Sequence, residues 1–251
     1  MIIKDIIDYL ETYFPLSLAY DWDHCGLQVG NINKDVKKIM IALTLDLNVI
    51  NECVKQDIDL LITHHPLIFD PLYQINTEDE AGKIIELALI HHITIFSYHT
   101  CMDRGLFGQS INDWLMEALN IKDYKDFNEE GLIKVAPYKT TLNDLIQHVK
   151  KQLSINTIRY VGNKETMINT IGIVGGSGAD FIDELANHVD TLITGDIKYH
   201  EAQNALSKGL SLIDVGHFAE SIMISKVKEL LEKQFDIEIF ESKQKDYFSY
   251  D

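Results

Sequence analysis

The chain is poor in cysteine and in basic residues, and it has no long apolar run. Cys25, Cys53 and Cys101 are its only cysteines. Few, odd in number and widely spaced, they argue against a disulfide framework and for a reducing compartment. No CxxC occurs, which argues against a thiolate zinc site. Lysine and arginine total 22 against 39 aspartates and glutamates, for a formal net charge of -17. No basic cluster longer than Lys37-Lys38 or Lys150-Lys151 offsets that charge. Such a surface repels nucleic-acid phosphates, so no nucleic-acid partner is expected. The acidic balance suits attraction of metal cations, and equally suits a protein simply kept in solution by charge. The opening MIIKDIIDYLETYF interleaves charges with its apolar residues, unlike a secretion signal. No stretch approaches the roughly 18 apolar residues of a membrane helix. No membrane association is expected, and a cytoplasmic location is.

Apolar residues make up 46% of 251, enough for a sizeable core without staples. Ile3, Ile6, Ile7, Leu10 and Phe14 recur at helical spacing, and Pro15 ends the run. After the loop DWDHCGLQVG, the segments KKIMIAL, DLLIT and ITIFSY read as buried strands. LNVINECVKQ and GKIIELALIHH read as the helices between them. This alternation predicts parallel β-α-β units. The pattern then recurs. INTIGIVGG, DTLIT and LSLIDV read as strands, ADFIDELANH as a helix, and DLLITHH aligns with DTLITGD without gaps. The fold class expected is α/β: two related lobes around mainly parallel sheets, with a metal site between the lobes. The recurrence reflects either an ancient duplication or the general likeness of β-α-β units. No low-complexity linker intervenes, so residues 1–251 are expected to form a single two-lobed unit.

The residues that carry chemistry fall at strand ends, where open α/β sheets bind ligands. His64 and His65 follow DLLIT directly. On an extended backbone they would point to opposite sides, but a break helped by Pro66 would let them converge. Alone, such a pair is more often a buried or capping pair. His99 and Asp103 follow the next strand, and His217 and Glu220 follow its counterpart in the second lobe. Imidazoles with carboxylates favour zinc, iron or manganese. Carboxylates can also bridge metals, so the set suits a pair of divalent ions about 3.5–4 Å apart. GIVGGSGAD reads as a phosphate cradle or, by preference, as a tight strand-to-helix turn. TGDIKYHEA offers Asp196 and His200 as proton-transfer groups and Lys198 as a substrate contact, or else a polar loop and helix cap. Trp22 and Asp23 are candidates to line a substrate pocket.

In this order DWDHCGLQVG, LLITHHP, YHTCMD, GGSGAD, TGDIKYHEA and GHFAES span nearly the whole chain. With them the sequence resembles the GTP cyclohydrolase 1 type 2 homologue family, also called the Ngg-interacting-factor-like family. The resemblance implies a two-lobed α/β fold, a dinuclear metal centre and a toroidal homohexamer. Carried over residue by residue, it implies His64, His65, Asp103, His217 and Glu220 as metal ligands, with His99 close to the metals. His24 stands where the family more often has asparagine, and no room is left for the extra domain some members carry between the lobes. The function expected is metal-dependent hydrolysis of a nucleotide-like or phosphoester small molecule. The alternative is a non-catalytic metal-binding regulator or scaffold.

Overall fold

The apolar runs DLLIT and ITIFSY are too short to bury a helix and are bracketed by polar turns. Both become strands in the computed structural model, which describes residues 1–249. The chain divides into two compact units. The first comprises Met1–Ser110 and Ser221–Lys245; the second comprises Ile111–Glu220 and the tail that begins at Asp246.

The first unit contains α1 (Ile3–Leu10), β1 (Gly26–Val29), β2 (Lys38–Ala42), α2 (Leu47–Gln56), β3 (Leu60–Thr63), α3 (Glu80–Ile90), β4 (Thr94–Ser97) and the single turn α4 (Thr100–Asp103). It is completed by α9 (Ile222–Gln234) and β11 (Glu238–Glu241). Its sheet has the order β1-β4-β3-β2-β11, with every pair parallel except β1 with β4. Neighbouring residues of a strand face opposite sides of the sheet, and here both sides are covered. Met40, Leu61 and Ile95 cluster with Val49, Ile50, Ile84, Ile85 and Ala88 of α2 and α3. Ile39, Ile41, Leu60 and Ile62, of opposite parity, are equally buried. That is why these strands read as unbroken apolar runs rather than as alternation. The helix α2 starts where Asp46 accepts a hydrogen bond from the Val49 amide at 2.8 Å. It ends at Asp57, whose φ of 54° lies in the left-handed region.

The second unit contains α5 (Ile111–Ala118), β5 (Lys125–Asp126), β6 (Lys134–Thr141), α6 (Leu142–Gln152), β7 (Arg159–Val161), β8 (Met167–Ile173), α7 (Ile182–Leu185), β9 (Thr191–Thr194), α8 (Tyr199–Ser207) and β10 (Ser211–Asp214). Its sheet has the order β5-β6-β8-β9-β10-β7. The strands β8, β9 and β10 are mutually parallel, and the flanking pairs are antiparallel. The recurrence in the sequence therefore reappears as topology. In each sheet three successive parallel strands lie side by side, and an antiparallel strand from earlier in the chain pairs with the last of them.

Two local expectations differ from the structure. DWDHCGLQVG, expected as a loop, ends in β1, whose backbone partners come from β4 some 70 residues later. Its flanking glycines take φ of 99° and 103°, which gives the segment a turn-like composition. ADFIDELANH, expected as a helix, forms a 3-10 turn followed by the short α7, whereas TGDIKYHEA is the loop and helix cap that one of its two readings gave, with Lys198 capping α8. Among the described residues, no helix is long and apolar enough to cross a membrane.

The burial pattern has a direct consequence for stability. Leu61, inaccessible in the central strand β3, should lose about 2–5 kcal/mol of unfolding free energy as Leu61→Ala. Leu89→Ala, at a side chain 55% exposed on α3, should change it by under about 0.5 kcal/mol. Urea denaturation of the two variants checks the contrast, and equal effects would contradict the assigned core.

Candidate metal centre

The strand β3 stops at Thr63 because the chain turns there. The Thr63 hydroxyl donates to the His65 carbonyl at 2.9 Å, and the amides of His64 and His65 both reach the Leu43 carbonyl, at 3.2 and 3.0 Å. Neighbours that would diverge on a strand thus converge, with ring centroids 4.9 Å apart. His99, just past β4, brings its ring to 5.1 Å from His64 and 5.7 Å from His65. Each of the three presents a ring nitrogen within 4.8 Å of those of the others.

Each ring is held by its Nδ1. In His64 that atom lies 2.8 Å from the Tyr98 carbonyl, which can only accept, so Nδ1 carries a proton and Nε2 is the nitrogen left to face a metal. In His99, Nδ1 lies 3.0 Å from Oδ1 of Asp23, and in His65 it lies 2.7 Å from the Thr44 hydroxyl. Asp103 closes the single turn α4, with Oδ1 3.7 Å from Nε2 of His64. Imidazoles oriented through Nδ1 beside a carboxylate form a donor set suited to zinc, iron or manganese.

Asp23 acts from beneath. It is buried, and it accepts from His99, from the Cys25 thiol at 3.0 Å, and from the Thr100 amide and hydroxyl at 2.9 and 2.5 Å. Burial alone would disfavour its charge. The hydrogen bonds from His99, Cys25 and Thr100 outweigh that effect and hold the carboxyl well below the usual range. Trp22 lies on the surface above. It is 54% exposed, stacks on Tyr20 at 5.7 Å and meets His99 edge-on at 6.1 Å. Phe69, which the sequence did not single out, stands 6.2 Å from the same imidazole.

The second unit repeats the device. His217 follows β10 after Gly216, and its Nδ1 lies 2.6 Å from Oδ2 of Asp196, the residue after β9 and Gly195. Its Nε2 lies 3.1 Å from Oε2 of the buried Glu220, one 3-10 turn on. The glycine loop of GIVGGSGAD makes room for this arrangement. A Cβ on Gly176, which also takes φ of +59°, would collide with Oε1 of Glu220. One on Gly195 would come within 2.9 Å of the Gly176 carbonyl oxygen and 2.8 Å of the Gly216 carbonyl carbon. The Gly175 and Gly178 amides are taken up by Asn112 at 2.6 Å and Thr194 at 2.8 Å, so the loop is a packed turn. A cavity of about 450 Å³ opens beside His217, lined in part by Arg159, Asp196, Asp214 and Phe248. Arg159, which pairs with Asp214, carried no sequence signal. His200 and Lys198 sit at the exposed start of α8, where Lys198 pairs with Glu201 at 3.4 Å and His200 with Gln203 at 3.4 Å.

Glu220, and after it Asp196, raise the His217 imidazole from its ordinary 6.5 to about 9, against the opposing effect of burial. At neutral pH this favours the imidazolium, held by the two carboxylates, so a metal bound at Nε2 would compete with that proton.

Two α/β units, each with three adjacent parallel strands and with imidazoles and carboxylates gathered at their strand ends, define a candidate metal-binding protein. The chain belongs to the Duf34/NIF3 (NGG1p interacting factor 3) family, whose sequence pattern matches residues 1–247. It is 32% identical over 246 residues to the GTP cyclohydrolase 1 type 2 homolog of Clostridium acetobutylicum, covering 92% of this chain and 91% of that protein. It is 33% identical over 218 residues to the GTP cyclohydrolase 1 type 2 of Helicobacter pylori, covering 86% of each. Among solved structures, reduced HcgD from Methanocaldococcus jannaschii superposes with a TM-score of 0.87 at 32% identity, over 96% of this chain and 97% of that one.

Two outcomes are expected. Gly176→Ala should cost about 1–3 kcal/mol of stability and weaken metal binding, because Glu220 must move; unchanged melting and metal titration would contradict the packing. The His217 shift carries a sign for each state. Its pKa is raised on folding, so its ion pairs stabilise the metal-free protein fully below pH 6.5, a contribution lost as pH rises to about 9. Over the same window metal affinity should rise by up to about tenfold per pH unit. Isothermal titration in buffers from pH 6.5 to 9 measures this, and a flat profile would exclude His217 as a ligand.

Proposed function

We propose that the chain is a divalent-metal-dependent hydrolase for a nucleotide-like or phosphoester substrate. In this reading His64, His65, Asp103, His217 and Glu220 hold a dinuclear centre of zinc, iron or manganese. The observation that carries it is the shared posture of the strand-end histidines, each fixed through Nδ1 by a carbonyl, a hydroxyl or a carboxylate. That is how proteins orient imidazoles for metal. When bound, such ions supply Lewis acidity and acidify water towards neutral pH.

The chain's own residues do the rest. Asp196 orients His217, and Asp23 orients His99. The cavity beside His217 falls in the size range of small-ligand sites. Arg159 on its wall offers a cation to a phosphate. Trp22 and Phe69 offer a planar ring an aromatic surface against His99. Asp196 and His200 are the proton-transfer candidates, and the exposed Lys198 is the candidate for a charged substrate group. The name of the Helicobacter pylori relative makes GTP the first substrate to try. The toroidal homohexamer implied by the family resemblance belongs to the same reading, with sedimentation analysis as its check.

The test compares wild type with His65→Ala, each loaded with manganese, iron or zinc, on GTP and a panel of phosphoesters. Wild type should turn over at least one substrate. His65→Ala should lose metal affinity by at least about 100-fold and turnover with it. Turnover by metal-free His65→Ala would overturn the reading. Full metal occupancy without turnover across the panel would leave the metal-binding regulator or scaffold in its place.

A further inference from the structure

Two of the three thiols, distant in sequence, meet beneath the histidine group. Sγ of Cys101 lies 3.6 Å from Sγ of Cys25, across 76 positions of chain. That is van der Waals contact between two sulfurs, with no atom between them. Cys25 sits in the loop before β1 and is partly accessible, whereas Cys101 is fully buried in α4. Cys53 is buried in the core cluster against α3 and has no such neighbour among the described residues. The Cys25 thiol is also wired into the site. It donates to Oδ2 of Asp23 at 3.0 Å, and its sulfur accepts from the His99 amide at 3.3 Å.

We infer that Cys25 and Cys101 are a peroxide-responsive dithiol. Oxidised by a hydroperoxide, they close to a reversible disulfide that removes one of the donors holding Asp23, and so loosens its grip on His99. The chemistry balances without a metal. Cys25, the accessible sulfur, attacks the distal oxygen of hydrogen peroxide. The S–O bond forms, the O–O bond breaks, and the departing hydroxide takes the thiol proton as water. Cys101 then attacks the Cys25 sulfur. The S–S bond forms, the S–O bond breaks, and a second water leaves with the Cys101 proton. The sulfurs lose two electrons in all, and peroxide gains them. Closing from contact to a bond of about 2.05 Å asks each sulfur to move by under about 1 Å. Once bonded, Cys25 has no S–H to give Asp23. The carboxylate keeps Thr100 and His99, but its thiol donor is gone.

Disulfide formation does not depend on the proposed hydrolase; only its effect on the metal rests on that reading, and the two are measured separately. Metal-free full-length protein is exposed to hydrogen peroxide, denatured, alkylated with N-ethylmaleimide and weighed. Before alkylation it should be lighter by about 2 Da, and afterwards only Cys53 should carry the label. The peptides holding Cys25 and Cys101 should be cross-linked, and dithiothreitol should reverse the link. Cys25→Ser and Cys101→Ser should each abolish it, and Cys53→Ser should not; should Cys101→Ser fail to fold, Cys25→Ser and the peptide map decide. Stable oxygen adducts on Cys25 with Cys101 still alkylated, a link through Cys53 or between chains, or no reaction would each overturn the dithiol. Manganese, which has little preference for thiolates, then reports the coupling. The oxidised protein should bind it about 2–10-fold more weakly, the worth of one hydrogen bond. Equal affinity in the two forms would overturn the coupling and leave the disulfide standing.

Discussion

A histidine is aimed at a metal through one ring nitrogen by whatever engages the other. Here Nδ1 of His64 meets the Tyr98 carbonyl, that of His99 meets Asp23, and that of His217 meets Asp196. Each contact selects a tautomer or charge state and turns the ring, and the rest of the local structure serves these contacts. The carbonyl of Tyr98 stands where it does because β4 runs parallel to β3 in the register that pairs Thr63 with Ser97. Asp23 can remain ionised in a buried place because His99, Cys25 and Thr100 all donate to it, against the effect of burial.

Close backbone packing is the second constraint. Gly176, Gly195 and Gly216 approach one another so tightly that a methyl group on Gly176 would strike Glu220, and one on Gly195 would strike its neighbours. The glycine loop, with its phosphate-cradle look, therefore spends its special geometry on space for a carboxylate. Asp196 adopts φ of 54°, an uncommon conformation for a residue with a side chain.

Much of the fold was legible because parallel strands covered on both faces leave unbroken apolar runs, and DLLIT, ITIFSY and DTLIT are such runs. LNVINECVKQ was legible as the helix between two such runs, and the structure adds the Asp46 cap and the left-handed exit at Asp57. The strand β1 was not, because it exists only through pairing with β4 and carries turn-like glycines at its ends. At the site, the sequence brought forward His64, His65, His99, Asp103, His217 and Glu220 through their place after apolar runs. It also brought forward Asp23 as a substrate candidate and Asp196 as a proton-transfer candidate; that each also meets a histidine Nδ1 came from the structure. Phe69, Arg159, Thr44 and the Tyr98 carbonyl left no trace, since an aromatic ring, a surface arginine, a hydroxyl or a carbonyl is ordinary in any loop.

The sequence by itself determined the class of fold, the strand-end placement of the donors and the family, because periodicity, residue type and motif order are properties of the linear chain. Only the tertiary structure decided which nitrogen of each histidine is tied down, how adjacent His64 and His65 come to face together, and that Cys25 and Cys101 touch. Those facts depend on distances between residues tens of positions apart. Strand register and packing set such distances, and no local pattern encodes them.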